Sequence, residues 1–176
     1  MRITYFVHAT TIDNERGLAT GWIDVPLSEK GRRQAEELRG AVVGRFDAVI
    51  CSDLGRAQDT ARTAFAPLVP IVDRRLREID YGDLAGKPSA EVKKDLLRYV
   101  DKPFPGGESY EDVRARVAEF LDELRKKYVD RCVALVAHQA PQLAFDVILY
   151  GKTWEQAFRD DWRNAKAWRP GWVHEI

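Results

Sequence analysis

The chain has 176 residues, 45% of them hydrophobic, with 28 Lys and Arg balanced by 28 Asp and Glu. A chain of that length fits one domain that buries about 70% of the surface its unfolded form exposes, so it needs neither metal nor disulfide to fold. Zero formal net charge excludes whole-chain attraction to nucleic acid or membrane, and no apolar stretch approaches the length of a membrane span. No signal-like apolar region precedes the first strand, so the expected location is cytoplasmic.

Residues 2–8 form a short, nearly continuous apolar run of the kind buried on both faces of a parallel sheet. Residues 9–27, rich in Thr, Asp, Asn and Gly, read as a loop too long to be a mere connector. Ser28 then caps a helix through about residue 43, with Ala35, Leu38, Val42 and Val43 on one stripe. A second strand follows at 48–51, and Ser52 or Asp53 is the expected cap of the next helix, which Pro67 and Pro70 close down. A brief strand at Ile71-Val72 leads into the least regular segment, 73–107, with a short helix near 89–100 and a turn at 103–107.

Ser109-Tyr110-Glu111-Asp112 is a capping-box pattern that opens the longest helix, where Val113, Val117, Phe120, Leu121, Leu124 and Tyr128 recur at helical spacing. The strand 132–137, a helix at 140–150, a helical piece near 153–160 and a tail with one or two edge strands complete the order. Strands alternating with helices, with no repeat or linker, predict one α/β domain over 1–176: a three-layer sandwich whose mostly parallel central sheet carries helices on both faces. Cys51 and Cys132 sit in strands without a CxxC or metal-ligand spacing and read as buried reduced thiols. Trp162, Trp168 and Trp172 read as core and edge packing.

Ligands of open α/β sheets bind beyond the carboxyl ends of the strands. His8 follows the first strand, Ser52 and Arg56 follow the second, and His138 follows the strand 132–137, so the topology brings all four towards one crevice. Arg56 lies about one turn into its helix, beside free N–H groups and the positive dipole end. Two imidazoles, a guanidinium and a helix N-terminus describe a phosphate pocket better than a pocket for a neutral ligand. Each residue alone has an ordinary structural reading; their convergence at equivalent strand ends carries the argument.

Several blocks resemble the histidine phosphatase superfamily, the phosphoglycerate mutase-like group. They are Val7-His8-Ala9-Thr10-Thr11, Asp13-Asn14-Glu15, the run from Gly21 to Gly31, Gln34-Ala35, Ser52-Asp53-Leu54-Gly55-Arg56-Ala57 with Thr60-Ala61, Leu76-Arg77-Glu78, Gly106-Gly107-Glu108-Ser109 with Arg116, and Val136-Ala137-His138. The resemblance implies a cofactor-independent phosphomonoester phosphatase in which His8 is the nucleophile and Glu78 the general acid and then base. Arg56, His138 and Asn14 would hold the phosphoryl oxygens, with Thr11 and Gln139 as further substrate contacts. It also implies a small phosphorylated metabolite as partner, no nucleic acid, membrane or metal, room for a homodimer, and a cap over residues 79–107. There Tyr81, Leu97, Tyr99 and Phe104 mix with Lys87, Lys93, Lys94, Arg98 and Lys102.

The sequence departs from that pattern beside both histidines. Val7 stands where the family motif has a phosphate-binding arginine, Ala9 replaces the glycine after the nucleophile, and Gln139 replaces the glycine after the second histidine. Truncating a buried arginine–phosphate contact costs about 2–5 kcal/mol. Arg16, Arg75, Arg77 and Gln139 are the candidates to compensate. Three readings follow: a phosphatase with reduced or altered activity, a non-catalytic binder of a phosphorylated or anionic ligand, and a metal hydrolase using His8, His138 and a carboxylate. The last lacks any close ligand pair.

Overall fold

A computed structural model of the chain describes residues 1–42, 46–165 and 171–176. Five strands, β1 (Arg2–Val7), β2 (Ala48–Cys51), β3 (Ile71–Val72), β4 (Cys132–Ala137) and β5 (Trp172–Glu175), form one sheet in the order β3-β2-β4-β1-β5. All neighbouring pairs are parallel except β1 and β5, which run antiparallel at the edge. The helices are α1 (Ile12–Glu15), α2 (Glu29–Ala41), α3 (Gly55–Ala64), α4 (Ser89–Val92), α5 (Tyr110–Lys127), α6 (Gln139–Tyr150) and α7 (Trp154–Arg159).

The apolar run of β4 has no polar alternation because both of its faces are covered. Val133, Leu135 and Ala137 join Ile3 and Tyr5 of β1 in the larger core, against Val113, Val117 and Leu121 of α5 and Leu143 and Phe145 of α6. Ala134 and Val136 face the other way, with Phe6, Val49 and Cys51, against Leu38 of α2 and Ala57 and Ala61 of α3. Leu135 and Leu143 are fully buried, each worth about 1.5–3 kcal/mol of transfer free energy. The three-layer arrangement expected from the sequence is therefore present. Cys51 and Cys132 are free thiols, held apart at opposite ends of the paired strands β2 and β4; Cys132 is half-buried rather than buried.

Side-chain caps set most helix boundaries. Ser28, Ser109 and Thr153 each accept a hydrogen bond from the third helical N–H of α2, α5 and α7, and Ser109 and Thr153 complete capping boxes with Asp112 and Gln156. Three local expectations change. The loop 9–27 contains the one-turn helix α1, because Thr11 and Asn14 make a capping box. Neither Ser52 nor Asp53 caps α3: its N-cap is Leu54, and the Gly55 N–H donates instead to Asp24, at 2.9 Å. The helix near 89–100 splits into α4 and a 3-10 turn at Leu96–Tyr99. α2 ends at Ala41, and the expected helical residue Val43, like Trp168, lies outside the described residues.

Candidate active site

Val7 and Ala137 are register partners at the carboxyl ends of β1 and β4, so the next residues, His8 and His138, emerge side by side with ring centroids 5.0 Å apart. The His8 Nδ1 lies 2.7 Å from the Ala9 carbonyl oxygen. A carbonyl only accepts, so Nδ1 carries the proton and Nε2 holds the lone pair. Burial, then the nearby Arg56 charge, push the His8 pKa down to about 3, which keeps the ring neutral at physiological pH. His138 is fully buried, its pKa driven well below the ordinary value mainly by desolvation, and neither ring nitrogen has a partner among the described residues. Its backbone is pinned by the Tyr5 hydroxyl, which donates to the His138 carbonyl at 2.8 Å.

The loop after His8 is held from several sides. Ala9 N–H donates to the Thr60 hydroxyl at 3.0 Å, and Thr10 N–H to Gln34 at 3.0 Å. A Cβ on Gly31 would stand 1.9 Å from the Thr10 carbonyl oxygen, so only glycine lets the start of α2 approach this loop. Arg56, 2% exposed, donates through Nη1 to the Ile23 carbonyl at 2.9 Å and through Nη2 to the Gly21 carbonyl at 2.7 Å. Its Nε has no partner among the described residues. A buried polar group left so is unfavourable by about 1–3 kcal/mol, and unpaired buried atoms on both Arg56 and His138 mark a place where an anion would be stabilised.

Glu78 faces the histidines from the other side. Its Oε1 accepts from the Ile79 and Ala140 N–H groups at 3.0 and 2.8 Å, and its Oε2 from Gln139 N–H at 3.1 Å. Pro141, in the first turn of α6, has no N–H, so the carboxylate takes both donors that open this helix. The Glu78 carbonyl is clamped by Trp22 Nε1 at 2.7 Å and by Arg116 Nη2 at 3.1 Å, while Arg116 also grips Glu108 with two 3.0 Å bonds.

These groups open onto a cleft of about 260 Å³ lined by His8, Asn14, Glu78 and Gln139, together with Val7, Thr10, Gln34 and Leu38. Its remaining wall is Lys93, Trp162 and Arg163. Lys93 donates to the Gln139 side-chain oxygen, and the Gln139 amide nitrogen donates to Asp161. Asp161 in turn accepts from Arg163 Nη1 at 2.8 Å, and Gln142 accepts from the same nitrogen at 3.3 Å.

A family model, the histidine phosphatase superfamily (branch 1), matches residues 5–169. The chain belongs to the histidine phosphatase superfamily. It is 34% identical over 155 residues to phosphoserine phosphatase 1 of Hydrogenobacter thermophilus, covering 82% of this chain and 74% of that one. It is 33% identical over 167 residues to a 2,3-bisphosphoglycerate-dependent phosphoglycerate mutase of Mesorhizobium japonicum, covering 85% and 81%. The solved structure of a mycobacterial glucosyl-3-phosphoglycerate phosphatase superposes with a TM-score of 0.78 at 32% identity, covering 89% and 85%.

Of the site residues expected in this superfamily member, His8, Glu78, Asn14 and Gln139 line the cleft, and Arg56 and His138 are buried beside His8. Thr11 is placed differently: fully buried, its hydroxyl accepts the Asn14 N–H as the α1 cap and does not line the cleft. The Gln139 amide is engaged by Lys93 and Asp161. None of the three arginines considered as replacements for the motif arginine enters the cleft. Arg16 is exposed and pairs with Asp13, Arg75 pairs with Asp73 and Glu123, and Arg77 forms a bidentate pair with Asp53, both contacts 2.7 Å, over the Trp22 ring.

Of the cap residues, Tyr81 and Phe104 are buried in the core, Tyr99 stacks on Phe104 at 3.8 Å, and Leu97 is exposed; of the lysines and arginine named there, Lys93 lines the cleft. Trp162, expected as packing, is part of the cleft wall. Asp161 and Arg163 were not signalled by the sequence, since they fall in a short irregular stretch and a 3-10 turn with no motif or periodicity. Among the described residues no helix is long and apolar enough to cross a membrane.

Proposed function

We propose that the protein is a phosphomonoester phosphatase working through a phosphohistidine on His8. The observation that carries this is the bond from His8 Nδ1 to Ala9, which fixes a neutral tautomer with its Nε2 lone pair available in a cleft shared with Glu78. A neutral, desolvated imidazole held in one orientation is a competent nucleophile. His8 Nε2 attacks phosphorus as the bond to the leaving oxygen breaks, and the Glu78 carboxyl gives that oxygen its proton. Water then attacks the phosphohistidine, Glu78 takes the proton, the P–N bond breaks, and inorganic phosphate leaves His8 neutral again.

Arg56, His138 and Asn14 stabilise the non-bridging oxygens, where charge accumulates during transfer. The cleft volume suits a small phosphorylated metabolite, the class that the names of the phosphoserine and glucosyl-3-phosphoglycerate phosphatase relatives carry. A phosphate-release assay over a panel of small phosphomonoesters tests the reading: turnover is expected in the native chain and at least a thousandfold less in His8→Ala. The loss of the motif arginine at Val7 favours a second reading, a non-catalytic phosphate binder. That reading predicts thermal stabilisation by phosphate with no turnover on any ester.

A further inference from the structure

A phosphoryl group in flight carries its charge on three oxygens, and the strongest partner for it is a guanidinium presented edge-on with N–H bonds to spare. The strand-end position before His8 offers none, because Val7 lines the cleft there with a purely apolar side chain. Arg56 is close, but both of its terminal nitrogens already donate to the Ile23 and Gly21 carbonyls, which leaves its Nε for a single contact and no bidentate edge. Among the described residues the cations in the cleft wall are Lys93 and Arg163.

Arg163 is the better equipped of the two. Its Nη1 is fixed by Asp161 at 2.8 Å and by Gln142 at 3.3 Å, while Nη2 is buried and has no partner among the described residues. Asp161 is itself buried and steadied by the Gln139 amide, so one edge of the guanidinium is braced by the residue directly after His138. The charge of Arg163 reaches His8, whose protonation it opposes, as that of Arg56 does. The 3-10 helix Trp162–Ala165 that carries it runs beside the same cleft, and Trp162 adds a buried indole N–H without a partner among the described residues.

We propose that Arg163, delivered from the C-terminal 3-10 helix and held by Asp161, binds the phosphoryl oxygens at His8 and fills the role that Val7 leaves open at the end of β1. The site thereby keeps an arginine on the phosphate while changing the element that supplies it. Asp161 is a positioning residue in this arrangement: it orients the guanidinium without touching the substrate. The inference rests on the same cleft as the phosphatase reading, yet it concerns binding and is readable without turnover.

The test is titration of the native chain and Arg163→Gln with inorganic phosphate and with orthovanadate, which carry no leaving group, by isothermal calorimetry at low salt. The expected result is at least tenfold weaker binding of both anions in Arg163→Gln. Partial recovery is expected in Arg163→Lys, and recovery in Arg163→Ala when millimolar guanidinium ion is added. Relocating the group in Val7→Arg/Arg163→Gln is expected to restore binding to within about threefold of the native value. Thermal melts of each variant separate loss of the site from loss of the fold, and recovery by guanidinium or by Val7→Arg occurs only in a folded chain.

Unchanged phosphate and vanadate affinity in a folded Arg163→Gln overturns the proposal. So does unchanged anion affinity combined with a raised KM for substrates bearing a second anionic group, which would assign Arg163 to the leaving group. Absence of turnover in the native chain would remove the phosphatase reading and leave these binding results to decide on Arg163 by themselves.

Discussion

The two sides of the cleft are built by different means. The floor, with His8, His138 and Arg56, is set by strand ends: register pairing of Val7 with Ala137 puts two histidines together, and backbone carbonyls and helix packing fix the rest. The wall, with Lys93, Gln139, Asp161 and Arg163, is a chain of side-chain hydrogen bonds that ties the segment after α4 to the start of α6 and to the C-terminal 3-10 helix. A floor made of backbone geometry tolerates little change, whereas a side-chain wall is free to be rewritten. The departure at Val7 sits where these two parts meet.

Variants on each side test that contrast, beginning with Glu78→Gln. The amide keeps one oxygen for the Ile79 and Ala140 N–H groups, sets its NH2 against the Gln139 N–H and has no proton to exchange, so kcat/KM, which reports the phosphorylation step, is expected to fall about 10²–10⁴-fold for alkyl phosphates. The fall in kcat/KM should be much smaller for an aryl phosphate whose leaving group needs no proton, while kcat drops for both because the base of the second step is lost; an equal fall in kcat/KM for both would remove the acid role. Gly31→Ala comes next. Its Cβ would meet the Thr10 carbonyl at 1.9 Å, and the shift forced on the loop after His8 should lower stability by about 1–3 kcal/mol in urea titration, together with activity. A substitution with neither effect would show that the floor yields more easily than its geometry implies.

The buried histidines give the floor a pH signature. The His8 pKa is lowered from 6.5 to about 3, and that of His138 is also well below the ordinary value, so between these limits the unfolded chain binds more protons than the folded one. Stability should therefore hold above about pH 6.5 and fall as pH drops towards 3, by at most about 1.4 kcal/mol per pH unit per histidine. Urea titrations at pH 7, 6 and 5 read the slope, and His8→Asn should flatten it by one histidine's share. The smallest effect belongs to the wall: Lys93→Met should raise KM several-fold with little change in kcat, as expected when binding is lost equally from ground and transition states. A large drop in kcat there would move Lys93 to the reacting atoms.

The same contrast explains what the sequence disclosed. Apolar runs without alternation marked β1 and β4 as doubly covered strands, and the residues just beyond them were legible as site residues because a strand end fixes where its next residue emerges. Glu78 became legible only through the family motif; its burial against the Gln139 and Ala140 N–H groups is a tertiary fact. Arg163 and Asp161 were hidden because a single 3-10 turn carries no periodic signal and its position depends on contacts with α6. Arg75 and Arg77 are equally suitable by sequence, and only the folded chain shows Asp73 and Asp53 holding them away. The α3 cap differs from the sequence expectation for a similar reason, since Asp24 reaches Gly55 from a remote loop.

The central claim is that His8 carries the phosphoryl group. Incubation with an aryl phosphate whose leaving group needs no proton, a base quench and peptide mass spectrometry should find phosphate on His8 that survives alkali and is lost in acid, present in the native chain, enriched in Glu78→Gln and absent in His8→Ala. Turnover of the same ester with no phosphate on His8 in the native chain or in Glu78→Gln would contradict the account.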